Sequence, residues 1–295
     1  MQRIGVLALI WGWSFLLIKV AVDGMTPTTV AAGRITLGAI VMLGAVRARG
    51  LRMPRDIAAW RHFAVMGTLA SFVPFTLLAF GEERITSALT SVLNASTPLF
   101  AAIAAAVLLQ ERLKRSQIVG LAIGLAGVAI ASGIAGRDVG SSTILGAAAA
   151  VGAAACYGYT FVYARRNITG TPPLVAAAGQ LVCGAIVSLP LAALTTARNG
   201  IDPAPHRLLA VAILGIVGTG VAYVLYYGAI ADLGPTKASI VTYLVPVVAV
   251  TVGVVFLSEP FKLRILAGGG LTILGIGLLH ERLRRRPASP VGAEG

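Results

Sequence analysis

The chain of 295 residues is 57% hydrophobic and only 12% charged, with a mean hydropathy of +0.87. Soluble domains carry about a quarter charged residues, so this composition excludes a water-soluble fold and points to one built in lipid. Twenty-four lysines and arginines against 11 acidic residues leave a net charge of +13, yet there is too little polar surface for a nucleic-acid-binding face.

A helix needs about 20 apolar residues to cross a hydrocarbon core of about 30 Å. In chain order the apolar stretches are 4–22, 27–46, 63–80, 87–109, 118–134, 144–163, 172–194, 208–230, 238–257 and 266–279. They predict an all-α integral membrane protein with ten transmembrane helices. The first stretch follows Arg3 but holds Trp11, Trp13 and Lys19 and has no clear small-residue cleavage site. It is therefore read as a retained span rather than a signal peptide. The last is short, and Gly268, Gly269 and Gly270 leave its outer boundary open. Connections are short and rich in Gly and Pro, which leaves no room for a separate soluble domain. Cys156 and Cys183 lie in apolar runs and imply packing, not a disulfide framework. The small, polar tail 287–295 reads as disordered and cytoplasmic.

Basic residues orient the spans. With the N-terminus inside and the spans alternating, sixteen lysines and arginines fall inside and six outside, while Lys19 and Arg34 remain within spans. That bias predicts both termini in the cytoplasm of a cell with the chain in its inner (plasma) membrane.

The chain also repeats itself. Pro98 and Pro246 stand 148 residues apart, and so do Ser91 and Ser239, Glu111 and Glu259, Lys114 and Lys262, and Gly120 and Gly268. Nearer the start of each half the spacing is 146: Trp11-Gly12-Trp13-Ser14-Phe15 answers Tyr157-Gly158-Tyr159-Thr160-Phe161, and Arg34 answers Gln180. Five spans per copy is an odd number, so the second copy enters the membrane from the opposite side. This predicts two inverted-topology repeats, 1–135 and 136–286, around a central cavity. A proline inside a helix removes a hydrogen bond. In lipid that loss is tolerated where the freed carbonyl faces protein or a water-filled cavity.

Ten spans as five plus five, a WG-x-SF start, an arginine in span 2 and paired Pro…Glu helices resemble the EamA family of the drug/metabolite transporter superfamily. The resemblance covers nearly the whole chain. It implies a basket in which spans 1, 3, 4, 6, 8 and 9 surround the cavity, and transport of small metabolites, often export of amino acids as in its YddG-type branch. No motif fixes the branch.

Read from the residues, Ser91, Asn94 and Pro98 share one face of span 4, and Ser239, Thr242, Tyr243 and Pro246 share one face of span 9. They predict a polar cavity wall that binds the solute, although buried hydroxyls and amides also bond helices together. Tyr223 in span 8, with Trp11 and Tyr157 in spans 1 and 6, joins the candidates. Tyr226 and Tyr227 lie near the inner end and fit an interfacial belt as well. Lys19 could snorkel to the outer surface, and Arg34 is divided between a structural bond to facing carbonyls and a gating contact. Glu111 and Glu259, at helix ends near basic residues, are read as surface ion pairs or topology anchors. Gly120, Gly124, Gly127, Gly268 and Gly275 suit close helix packing, either internal or across a homodimer.

No HExxH, GxxxxGK[ST] or other enzyme, cofactor or metal signature occurs. The expectation is a secondary transporter of broad specificity working by alternating access, for amino acids or similar metabolites. Nucleosides or toxic amphiphiles are the alternative cargo, and an intramembrane enzyme or lipid-handling protein is the alternative class. With every acidic residue in a loop or at a helix end, coupling independent of a buried acid is expected.

Overall fold

In the computed structural model the described residues are 2–133, 140–260 and 262–280, and their regular structure is entirely helical. The 135/136 repeat boundary, Arg137, the basic run Arg282–Arg286 and the tail 287–295 lie outside them. Eight helices are long and apolar enough to cross a membrane: α1 Gln2–Val22, α2 Pro27–Ala48, α3 Ile57–Glu82, α4 Ser87–Leu108, α5 Arg115–Ser132, α6 Ser141–Asn167, α7 Pro173–Asn199 and α8 Pro205–Leu233. Two shorter apolar helices follow, α9 Val241–Phe256 and α10 Leu263–His280.

Several helices outrun their apolar stretches, because capping residues and polar ends continue the turn beyond the hydrophobic part. Thr26 and Thr86 each accept a hydrogen bond from a first-turn amide, at Thr29 and Leu89, and so start α2 and α4. The glycine run at the start of α10 lies inside the helix, which begins three residues earlier than the apolar stretch suggests.

α4 is broken rather than kinked: Ser87–Asn94 stops, and Thr97–Leu108 restarts with Pro98 in its first turn. A first-turn proline forfeits an N–H that has no helical partner in any case. The carbonyl of Asn94, four residues before Pro98, accepts the Thr97 hydroxyl at 2.8 Å. The expected orphan carbonyl is therefore filled from within the chain, which corrects the simplest reading of the proline break. Pro246 does sit inside α9, after a break that separates the short helix Pro235–Ala238 from Val241–Phe256.

Local structures recur at the spacing found in the sequence. α3 and α8 each carry a π-helical stretch, Thr68–Phe72 and Ile216–Val221, entered from Gly67 and Gly215. Gln110 and Ser258, the two non-glycine residues with positive φ among those described, end α4 and α9 and lie 148 apart. In both, the second residue of the exit reaches back to the helix: Glu111 N–H bonds Ala105 O at 3.4 Å, and Glu259 N–H bonds Gly253 O at 3.1 Å.

Packing repeats in the same way. α2 lies on α7, with Ile35, Met42, Leu174 and Leu181 fully enclosed alongside Phe72 and Phe75 of α3. α5 lies on α10 through glycine alone at the closest points. A Cβ at Gly120 would stand 2.7 Å from Gly275 O, and one at Gly127 would stand 2.5 Å from Gly268 O. The glycines thus serve internal packing, and the two contacts exchange under the 148-residue shift. α1 packs on α8 and α9, and α6 on α3 and α4, leaving a space between these layers.

Candidate functional site

That space is a cavity of about 300 Å³ walled by α1, α2, α3, α4, α6, α7, α8 and α9, within the size range of small-molecule sites. Its lining includes Trp11, Ser91, Asn94, Pro98, Tyr157, Tyr223, Thr242 and Pro246 of the sequence-predicted wall. Tyr226 and Tyr227 line it too. Ser239 and Tyr243 fall outside the lining. Ser239 sits at the break before α9, and Tyr243 packs against the core formed by α4, α5, α6 and α10. Trp13 and Tyr159, on the outer faces of α1 and α6, are more than one-third exposed.

The polar chemistry of the lining is lopsided. Ser14, Ser91, Thr97 and Thr160 each donate their hydroxyl proton to a carbonyl of their own helix, at 2.8–2.9 Å. Toward the cavity they therefore offer oxygens that accept. Asn94 Oδ1 is buried without a hydrogen-bond partner. Trp11 Nε1 donates to Gly218 O in the α8 π-turn at 3.2 Å, and its ring lies 5.4 Å from that of Tyr226.

Arg34 is the one charged residue in the lining among the described residues. It bonds a facing hydroxyl rather than a facing carbonyl. Its Nε donates to the Thr219 hydroxyl at 2.8 Å, and Thr219 in turn donates to Leu214 O at 3.1 Å. Its guanidinium carbon lies 4.0 Å from the centre of the Phe75 ring. The repeat equivalent is present: Gln180 Nε2 donates to Ser71 Oγ at 2.9 Å.

Beyond one end of the cavity lies a cluster of bonded polar groups that do not line it. Lys19, which the sequence let snorkel outward, has backbone partners at that end. Its Nζ donates to the backbone carbonyls of Glu82 and, at 3.1 Å, Ile85, pinning α1 to the end of α3. Glu82 is fully buried and accepts the Ser87 hydroxyl at 2.8 Å through one oxygen, while the other has no partner. Glu259 is no surface anchor. It is buried, and its two oxygens accept the backbone N–H groups of Ser87 at 2.7 Å and Ala88 at 3.1 Å. A carboxylate there satisfies first-turn donors and sits at the positive end of the α4 dipole. Glu111 keeps the surface role, paired with Arg165 at 3.0 Å with both side chains exposed. At that opposite end the cavity extends to Ala164 and Tyr227.

Glu82 and Thr219 were the residues that sequence reasoning undervalued. Glu82 sits beside a second acid and an arginine in what reads as a polar loop, and only Ser87 five residues on hints at its burial. Thr219 could have been paired with Arg34, since Ser71 and Gln180 are the equivalents of the two.

A multi-pass membrane protein, helical throughout its described residues, with an internal cavity of mainly apolar wall and a few polar groups is the class these features define. The profile of the EamA-like transporter family matches residues 4–133 and again residues 144–280, so the chain belongs to that family. The chain is 30% identical over 290 residues to a probable terminal-alkyne amino-acid exporter of Streptantibioticus cattleyicolor, covering 96% of this chain and 94% of that protein. It is 27% identical to an uncharacterised transporter of Archaeoglobus fulgidus, covering 92% and 95%. With the uncharacterised inner membrane transporter YedA of Escherichia coli K12 the identity is 25%, covering 97% and 92%. A solved crystal structure superposes with a TM-score of 0.66 at 21% identity over 96% of this chain and 98% of the other, a likeness of fold. Family and relatives make the protein a membrane transporter.

Proposed function

We propose that the protein moves small organic solutes, amino acids and similar metabolites among them, across the cell's inner (plasma) membrane by alternating access. Ten spans form two five-helix repeats of opposite orientation, and both termini are cytoplasmic. The observation that carries this reading is the cavity itself. It is walled by helices of both halves, with the bonded Lys19–Glu82–Glu259 cluster beyond one end and Ala164 and Tyr227 at the other. The double match to one family profile and the paired π-turns and glycine contacts support the repeat.

The positive-inside bias puts Arg165 and Arg166, and so the extended end of the cavity, in the cytoplasm. A solute could then load from the cell interior, as an exporter requires. The name of the Streptantibioticus relative adds support for an amino acid as cargo. A lining of hydroxyl oxygens and tyrosine rings around a few fixed polar groups suits loose recognition of the solute's variable part. Counterflow of a panel of labelled amino acids, nucleosides and amphiphilic cations into proteoliposomes tests the proposal. Accumulation of amino acids against preloaded unlabelled solute supports it, and no counterflow of any panel member refutes it.

A further inference from the structure

The repeat supplies an internal control for Arg34. At the equivalent place in the other half, the neutral amide of Gln180 makes the same helix-to-helix bond, to Ser71 instead of Thr219, at 2.9 Å against 2.8 Å. Joining these helices therefore does not require a charge. Burying a guanidinium without a carboxylate is costly, and Arg34 is only 7% exposed. Nε is engaged by Thr219, but its two terminal nitrogens make no hydrogen bond or ion pair with the described residues. The Phe75 face under the guanidinium fixes the plane in which the remaining donors point. The lining around them holds no aspartate or glutamate, so the cavity carries one uncompensated positive charge.

We propose that Arg34 anchors the carboxylate of the transported solute. The two terminal nitrogens would meet the two carboxylate oxygens as a bidentate pair, the geometry to which a guanidinium fork is matched. The hydroxyl oxygens of Ser14, Ser91 and Thr160, whose protons are committed elsewhere, would accept from an ammonium group. Phe15, Leu78 and Phe75 offer apolar wall for the rest of the solute. The solute class is thus a small monocarboxylate or zwitterionic amino acid with an apolar side chain. A phosphate ester is a poorer match, because its second charge would meet no second cation in the lining. This rests on the transporter reading and narrows its cargo.

Binding of norleucine, hexanoate and norleucinamide to the full-length protein in lipid nanodiscs, measured by titration calorimetry, tests the assignment. Norleucine and hexanoate should bind the wild type, and norleucinamide should bind at least about tenfold more weakly, the size of a charge-assisted pair. In Arg34→Gln the discrimination between norleucine and norleucinamide should fall to within about twofold, whereas Arg34→Lys should keep its direction. The glutamine variant is expected to fold, because Gln180 already occupies the equivalent position; an unchanged melting profile checks this. Equal binding of norleucinamide and norleucine by the wild type overturns the anchor, as does discrimination that survives in Arg34→Gln. Failure of both norleucine and hexanoate to bind also overturns it. Counterflow on the same preparations separates the two levels. Solutes that move without regard to their carboxylate refute the anchor alone, and carboxylate-selective binding without movement of any solute refutes transport alone.

Discussion

Glu259, at the end of α9, holds the backbone N–H of Ser87, the first residue of α4, at 2.7 Å. For its equivalent Glu111 one of the two bonds cannot form: the residue 148 positions after Ser87 is Pro235, which has no N–H. One end of the molecule is therefore latched by a carboxylate on a helix start, and the other is held by the exposed Glu111–Arg165 pair. Exposed pairs contribute little, whereas hydrogen bonds to a buried charged acceptor contribute about 1.5–3 kcal/mol.

Glu259→Ala should accordingly loosen the latched end without unfolding the protein. Spin labels at Glu83→Cys and Lys262→Cys, read by double electron–electron resonance, should give a longer and broader distance distribution in the alanine variant. Glu111→Ala should leave that distribution as it was. An unaltered distribution in Glu259→Ala would show that the latch does not hold this end.

Much of this was legible in the sequence, and what was not has a physical reason. Eight spanning helices and much of the cavity lining trace back to hydropathy, proline spacing and helical periodicity. Tyr243 lies outside the cavity lining, and the break before α9 resets the helical phase, so that a face drawn through Ser239 does not continue past Ile240. Glu259 was misjudged because charges at a helix end are usually solvated. Its burial depends on α4 starting beside it, a contact made across 172 residues of chain. The oxygen acceptors of Ser91 and Thr97 were visible by type, but that their protons are spent on Ala88 and Asn94 carbonyls is a matter of geometry alone.

The glycine seam between α5 and α10 should be intolerant of bulk. A Cβ at Gly127 would lie 2.6 Å from Thr272 N and one at Gly275 2.4 Å from Gly120 O, both backbone atoms that cannot rotate away. Gly127→Val and Gly275→Val should each cost about 1–3 kcal/mol, as overpacking does. Gly277→Ala, where open space surrounds the position, should be near neutral. Thermal unfolding in detergent gives the comparison, and wild-type stability of Gly127→Val would argue against the seam.

The orientation of the spans has its own test. In a Cys156→Ala, Cys183→Ala background, a cysteine at Arg49 should react with an impermeant maleimide only after the cells are opened. A cysteine at Gly200 should react in intact cells. Labelling of both from outside would contradict the inverted arrangement.

The most direct measurement of the central claim is amino-acid counterflow into proteoliposomes by wild type and by variants of the cavity wall. Asn94→Ala and Tyr223→Ala remove lining groups, while Ile40→Ala alters a side chain that is 61% exposed on the outer face of α2. The account predicts uptake of at least one apolar amino acid by the wild type and a loss of at least about tenfold in each cavity variant at normal membrane abundance. Ile40→Ala should retain the wild-type rate. Wild-type rates in both cavity variants, for every solute the protein accepts, would contradict it.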